Sequence, residues 1–212
     1  MAKRPAGRDS KTQIFKAAAT EFAEHGYAGA GVDRIAAKAR VNKAMLYYHF
    51  GSKADLYRAV LQDMFQPLSA RVREIADAPG EPARKVDLWI ATIVAEATAR
   101  PHFPPIMLRE LASGGEHLDA DTVKLIGGVY AAVRDIISEG QSKGAFRRMN
   151  PLLVNFTVVP TVMFYLARNR AIAKGGVRGS DAITEPISGD DFVRHMQDVV
   201  HRMLSPESRL QE

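Results

Sequence analysis

Apolar residues recur along the chain at helical spacing, and Gly and Pro separate the segments that carry them. Ile14, Ala18 and Phe22 lie four residues apart after Ser10, a good N-cap, and Gly26 ends this pattern. With breaks at further Gly and Pro residues, the pattern predicts about nine helices in the whole chain. The alternation that predicts β-strands does not occur. The pattern therefore predicts an all-α fold.

Two short helices near the N-terminus carry the most specific local signal. Residues 32–39 and 43–50 each form an amphipathic segment of about eight residues, joined by a tight turn at 39–42. This arrangement, with a longer first helix to brace it, is typical of a helix-turn-helix. Ser52 caps a longer fourth helix, which we expect to lead into the rest of the chain.

The outer face of the third helix is rich in donors and aromatic rings. Tyr47, Tyr48 and His49 are consecutive, so they span about 200° of the helix and cannot all be core aromatics. With Lys43 and Ala44, they form a surface suited to phosphates and base edges in the major groove. This surface predicts contact with DNA.

The net charge of +5 lies in one part of the chain. Residues 1–55 hold ten of the 29 basic residues and five of the 24 acidic ones, so the remainder is neutral. Residues 1–9 are basic and carry Pro and Gly, which indicates a flexible arm. Such asymmetry favours a module that binds a polyanion on a neutral body, although a basic tail that only aids solubility remains open at this point.

Other chemistries find little support in the sequence. Cysteine is absent, which excludes disulfides, thiol nucleophiles and cysteine-ligated metals. The histidines are scattered without a His-x-x-x-His pair, so we predict no metal site and no cofactor. No secretory signal and no uninterrupted apolar run of about 18 residues occurs, so we expect a cytoplasmic protein without membrane contact.

Three strings, at 22–27, 32–36 and 46–56, resemble the TetR/AcrR family of bacterial repressors, and the string Leu-Tyr-Tyr-His-Phe-x-Ser-Lys-x-x-Leu is highly specific. The resemblance covers about residues 8–68 and places the helix-turn-helix at 31–50. It implies a dimeric transcription factor in which residues 8–68 bind DNA. Residues 69–212 would then form a helical domain that binds a small-molecule inducer and dimerises.

Carried over by position, the resemblance assigns Lys43, Ala44 and Met45 to the base-facing start of the recognition helix. Tyr47, Tyr48 and His49 match backbone- and edge-contacting positions, and Lys53 matches a phosphate-contacting lysine. The remaining predicted DNA-binding residues are Gly31, Asn42, Arg4 and Arg8.

Five positions depart from the family pattern. Ala44 and Met45 replace the frequent Gly/Pro and Thr/Ser, so the base preference of relatives does not carry over. Gly31 replaces a usual Ser or Thr, so a hydroxyl contact to phosphate is missing. Arg40 replaces the turn glycine, which predicts either a slightly different turn or a non-glycine residue with positive φ. Asn42 replaces the common Ser but can still cap the recognition helix.

Apolar and polar residues of the later helices are candidates for the inducer cavity, although Met and aromatic stripes are more often core. They are Trp89, Ile93, Phe103, Met107, Arg109, Tyr130, Arg134, Phe156, Met163 and Phe164. An apolar stripe on the last helix predicts the dimer interface, although it could equally pack within its own subunit. Its residues are Phe192, Met196, Val199, Val200 and Met203.

Taken together, these features predict a non-enzymatic repressor that binds an inverted-repeat operator in double-stranded DNA as a homodimer and is released by a small molecule. The alternative is an all-α enzyme or small-molecule carrier that uses the later helices for its cavity, with DNA binding incidental. The clustered charge and the recognition helix favour the repressor.

Overall fold

A computed structural model describes residues 6–176 and 184–206, and none of these residues lies in a β-strand. The all-α prediction is confirmed. In chain order the helices are α1 (Ala6–Gly29), α2 (Val32–Ala39), α3 (Lys43–Phe50), α4 (Lys53–Asp77), α5 (Pro82–Ala99), α6 (Phe103–Ala112), α7 (Ala120–Ser142), α8 (Pro151–Ala173) and α9 (Gly189–Leu204).

Side-chain caps explain where several of these helices begin. The Asn150 side chain accepts a hydrogen bond from the Leu152 backbone N–H at the start of α8. Ser188 does the same for Asp191 at the start of α9. These caps satisfy backbone donors that the first helical turn leaves without an intrahelical partner. Pro160 lies inside α8 without ending it.

The chain divides into two compact units. Among the described residues, the N-terminal unit contains 6–65 and 102–123, and the C-terminal unit contains 66–101, 124–176 and 184–206. The predicted boundary at residue 68 is close to the first crossing. However, α6 and the segment after it belong to the N-terminal unit, so the chain crosses between the units three times rather than once.

In the N-terminal unit, α1 packs against α2, α3 and α6. Ile14, Phe22, Ile35 and Leu46 are fully buried there, as their helical spacing predicts. Gly26 has φ 68 and ψ 178, so helical geometry is interrupted there within α1.

The structure corrects the start of α1. The helix begins at Ala6, so residues 6–9 are helical and not part of a flexible arm. Ser10 therefore lies inside α1 and is not its N-cap.

In the C-terminal unit, α5 packs against α8 and α9. Trp89, Ile90, Val158 and Val200 are fully buried in this core. At the end of α7, a Cβ on Gly140 would lie 2.0 Å from Cδ2 of Phe146. Only glycine allows this close approach, because real Cβ contacts are far longer.

Candidate nucleic-acid interface

The turn between α2 and α3 has a left-handed residue at its centre. Arg40 has φ 55 and ψ 40, and it is the non-glycine residue with positive φ among those described. Its backbone N–H caps α2 by donating to the carbonyl groups of Ala36 and Ala37. This confirms the second alternative predicted for Arg40, a non-glycine residue with positive φ at the position where the family usually has glycine. Such a conformation costs a non-glycine residue a small amount of free energy.

Asn42 begins the recognition helix. Its Oδ1 accepts a hydrogen bond from the Met45 backbone N–H at 2.9 Å, which confirms the predicted cap. At the start of α2, by contrast, Gly31 offers no side-chain cap. The Gly31 N–H instead lies 3.5 Å from Oε1 of Glu21.

The two faces of α3 differ sharply in exposure. Leu46 is fully buried, whereas Tyr48 is 81% exposed and Tyr47 is 43% exposed. Lys43 and Ala44 are exposed as well, and Met45 is half-buried. The outward face is therefore the one that the sequence predicted.

His49 is less accessible than its tyrosine neighbours. It is half-buried, and its Nε2 lies 2.9 Å from the Ser10 hydroxyl, a hydrogen bond that joins α3 to α1. The ring of Tyr48 packs edge-on against His49 with 5.2 Å between centroids. His49 thus has a bracing contact in addition to its predicted role toward DNA.

Lys43 forms an ion pair with Asp33 of α2. Its Nζ lies 3.0 Å from Oδ1 of Asp33, and both side chains remain largely exposed. The hydrogen bond to Asp33 raises the pKa of Lys43, because it favours the charged ammonium. Asp33 is not among the predicted DNA-binding residues. The signal that could have indicated it is an acidic residue within a basic segment.

Lys53, at the start of α4, is held more firmly than an ordinary surface lysine. Its Nζ lies 4.7 Å from the centroid of the Tyr27 ring and 3.5 Å from the Ala28 carbonyl oxygen. Burial lowers the pKa of Lys53, and the nearby charge of Arg34 lowers it further. Tyr27 is a second residue that sequence reasoning missed, because its contact with Lys53 spans two helices.

Two predicted DNA-binding residues of the N-terminal segment cannot be placed on this surface. Arg4 lies outside the described residues, and Arg8 lies in α1 with a side chain outside the described part. They stay predictions.

The comparisons with known proteins bear on this geometry. The family model for bacterial regulatory proteins of the tetR family matches residues 14–60, which span the helix-turn-helix. The HTH-type transcriptional repressor SCO4008 of Streptomyces coelicolor is 33% identical over 190 residues, covering 84% of this chain and 91% of the relative. The chain belongs to the TetR family. The resemblance seen in the sequence is confirmed, and the protein is a transcriptional regulator rather than an enzyme or carrier.

Other members of the TetR family extend this comparison. The HTH-type transcriptional repressor NicS of Pseudomonas putida is 26% identical over 163 residues, covering 76% of this chain and 77% of NicS. Among solved structures, the ketosteroid transcriptional regulator KstR2 of Mycobacterium tuberculosis gives a TM-score of 0.73 at 20% identity. It covers 97% of this chain and 99% of KstR2. That structural likeness shows the shared fold.

The structure of this TetR-family regulator distributes the predicted inducer residues over both units. Phe103, Met107 and Arg109 belong to the N-terminal unit and the other seven to the C-terminal unit. The Arg109 guanidinium donates to the Glu24 carbonyl oxygen, so it braces α6 against α1. The roles of these ten residues toward an inducer stay predictions.

Within the C-terminal unit, the predicted inducer residues differ in burial. Trp89, Ile93 and Met163 are buried in the core, Tyr130 is half-buried, and Arg134 is exposed beside Asp135. Phe156 and Phe164 are 61% and 71% exposed. Phe164 lines an open groove of ≈ 500 Å³ at the junction of α8 and α9.

The predicted dimer residues of α9 need a correction. Phe192, Met196 and Val200 are buried within their own protomer, and the Phe192 ring stacks on Tyr165 of α8 at 3.8 Å. Val199 and Met203 are half-buried. The stripe on α9 is thus chiefly an internal packing face, as the alternative interpretation held.

In this TetR-family regulator, α8 carries several exposed apolar side chains. Leu153, Phe156 and Phe164 are each more than half exposed, and their spacing places them along one side of the helix. Among the described helices, α8 is also the one that is long and apolar enough to cross a membrane by length and composition. On its opposite side, Val154 and Val158 are fully buried in the C-terminal unit.

Proposed function

We propose that this TetR-family regulator is a homodimeric repressor that binds an inverted-repeat operator and is released by a small molecule. The observation that carries the proposal is the outward face of α3, where Tyr47, Tyr48, Lys43 and Ala44 are exposed together. The relatives that match most of this chain, SCO4008 and NicS, are named repressors. The activator FasR of Mycolicibacterium smegmatis matches only 34% of it.

In this proposal the exposed residues of α3, together with Lys53 of α4, contact different parts of the DNA. Lys43 and Tyr47, near the start and middle of the helix, read base edges in the major groove. The Ala44 methyl group is suited to contact with a thymine methyl. Tyr48 and Lys53 hold phosphates, which positions the helix without reading sequence.

The proposed dimer uses the exposed side of α8. One recognition helix reads few base pairs, so specific binding needs two modules related by a two-fold axis. One side of α8 exposes three large apolar side chains, those of Leu153, Phe156 and Phe164. Exposed patches of this kind mark protein interfaces. A second copy of the chain would cover the patch and supply the second recognition helix.

The proposed inducer binds in the C-terminal unit. Two buried polar atoms there, the Trp89 indole Nε1 and Asn155 Oδ1, have no hydrogen-bond partner among the described residues. Unpaired buried polar atoms are costly. A polar ligand group that pairs with either atom would relieve that cost. A true inducer should therefore change Trp89 fluorescence over the same concentration range in which it releases DNA. Such a regulator acts on chromosomal DNA, so we also propose a cytoplasmic location.

The decisive experiment is a gel shift with the DNA upstream of the protein's own gene, repeated at several salt concentrations. We expect Lys53→Ala to weaken binding to all sequences alike and to lower the slope of log affinity against log salt by about one. Lys124→Ala, a change of an exposed lysine in the C-terminal unit, is the matched control and should leave the slope unchanged. Binding that does not depend on salt would contradict the proposal.

A further inference from the structure

The contact between Lys53 and Tyr27 belongs to a cluster of aromatic rings. Tyr27 contacts the Lys53 ammonium through its ring. The same ring packs against His117, with centroids 4.3 Å apart, and edge-on against Tyr57 at 5.1 Å. Tyr27 thus contacts the proposed phosphate ligand and two further rings.

A buried carboxylate fixes both of those rings. Glu110 is 2% exposed, and its Oε1 accepts from the Tyr57 hydroxyl at 2.5 Å. The same oxygen lies 3.1 Å from Nδ1 of His117, and Oε2 accepts from the His117 backbone N–H at 3.4 Å. Glu116 lies beside the other ring nitrogen of His117 at 3.6 Å. The position of His117 is therefore set by both its side chain and its backbone.

We infer that Glu110 and His117 are positioning residues for DNA binding, because they fix Tyr27 beneath Lys53. The inference rests on the proposed role of Lys53 as a phosphate ligand. A lysine side chain normally loses much rotamer freedom when it is immobilised at an interface. Here the ring of Tyr27 and the Ala28 carbonyl hold the ammonium before DNA arrives, so that loss is smaller on binding.

The inference extends the DNA-binding apparatus beyond the helix-turn-helix. Glu110 lies on α6 and His117 in the segment that follows it, and both belong to the N-terminal unit. The family model that matches this chain ends at residue 60. A region more than forty residues further along the chain thus acts on a phosphate contact without touching DNA.

The test is a double-mutant cycle on the full chain. The probe is a mixed-sequence DNA duplex of about 30 base pairs, three helical turns, because a phosphate contact carries no sequence information. We expect His117→Ala and Tyr27→Leu each to weaken binding by roughly three- to tenfold. In the Lys53→Ala background neither change should weaken binding further. Tyr27→Phe keeps the ring and should bind as the original protein does.

Separate outcomes overturn the inference and the function on which it rests. If His117→Ala weakens binding equally with and without Lys53, its effect is one of general structure and the inference is wrong. If Lys53→Ala lowers affinity but His117→Ala and Tyr27→Leu do not, the inference alone fails. If Lys53→Ala changes neither affinity nor salt slope, the proposed phosphate contact fails as well.

Loss of stability is controlled by a variant in the same unit. Phe65 packs against Phe103, with centroids 5.4 Å apart, and lies eight residues after Tyr57 on α4. Phe65→Leu should lower the melting temperature while DNA affinity below the melting range stays unchanged. A fall in affinity with Phe65→Leu as large as with His117→Ala would assign the effect to stability and overturn the inference. Should His117→Ala prove too unstable to assay, Tyr27→Leu tests the same contact from its other side.

Discussion

The exposed side of α8 makes a quantitative prediction about dimerisation. Phe164 is 71% exposed in the protomer. A phenylalanine side chain offers about 200 Å² of surface, so about 140 Å² of Phe164 is available to a partner. At about 25 cal/mol per Å², covering that area contributes at most about 3.5 kcal/mol to the free energy of dimerisation. A two-fold axis repeats this contact, so the dimer contains it twice.

The measured loss will be smaller than this upper limit, because association also orders side chains and desolvates polar groups. We therefore expect Phe164→Ala to weaken the dimer by at least about 2 kcal/mol, or about 30-fold in the dissociation constant. Phe156→Ala should act in the same direction. Sedimentation velocity over a range of protein concentrations measures the constant directly. Helical content should not change, because both side chains lie outside the core of the protomer.

Leu111 supplies the matched control. It is 69% exposed, nearly as much as Phe164, but it lies on α6 in the N-terminal unit. Leu111→Ala should leave the dimer unchanged. The reasoning is refuted if Phe164→Ala and Phe156→Ala both dimerise as tightly as the original protein, or if that protein is a monomer at micromolar concentration.

Two further predictions concern the ion pair at the recognition helix and the glycines of α7. Asp33→Asn should strengthen DNA binding a few-fold, because Lys43 no longer pairs with Asp33 and a negative charge near the phosphates is removed. Affinity titrations check this prediction. In the Lys43→Ala background the gain in affinity from Asp33→Asn should shrink. Gly140→Ala should destabilise the protein by about 1–3 kcal/mol, because the new methyl group would collide with Phe146. Gly127→Ala, on the same helix with open space around it, should instead stabilise it by up to about 1 kcal/mol. Urea denaturation distinguishes the two glycine changes, and a stable Gly140→Ala variant would contradict the packing argument.

The helix-turn-helix could be predicted in detail because its determinants are local. The Asn42 cap and the left-handed Arg40 depend on residues within one turn of themselves. Leu46 is buried because the helical period places it on the inward side of the short helix α3. Physical rules that relate neighbouring residues were sufficient here.

Contacts between distant parts of the chain were not predictable in this way. The apolar stripe on α9 shows that one face of that helix is buried, but the stripe is the same whether a partner or its own protomer covers it. In the structure, Met196 and Val200 are buried within their own protomer. The contact of the His117 ring with Tyr27 likewise joins residues about ninety positions apart. Nothing in either local sequence indicates the other.

The location of the net charge also needs the structure for its interpretation. Several basic residues of the N-terminal segment already have acidic partners: Arg34 pairs with Glu21, and Lys43 with Asp33. The two pairs differ in burial. Glu21 is buried, so its pair with Arg34 braces α1 against α2. Asp33 is exposed, and an exposed pair contributes little in water. Phosphates can therefore compete for Lys43 but not readily for Arg34, so the segment's charge is divided between structure and DNA binding.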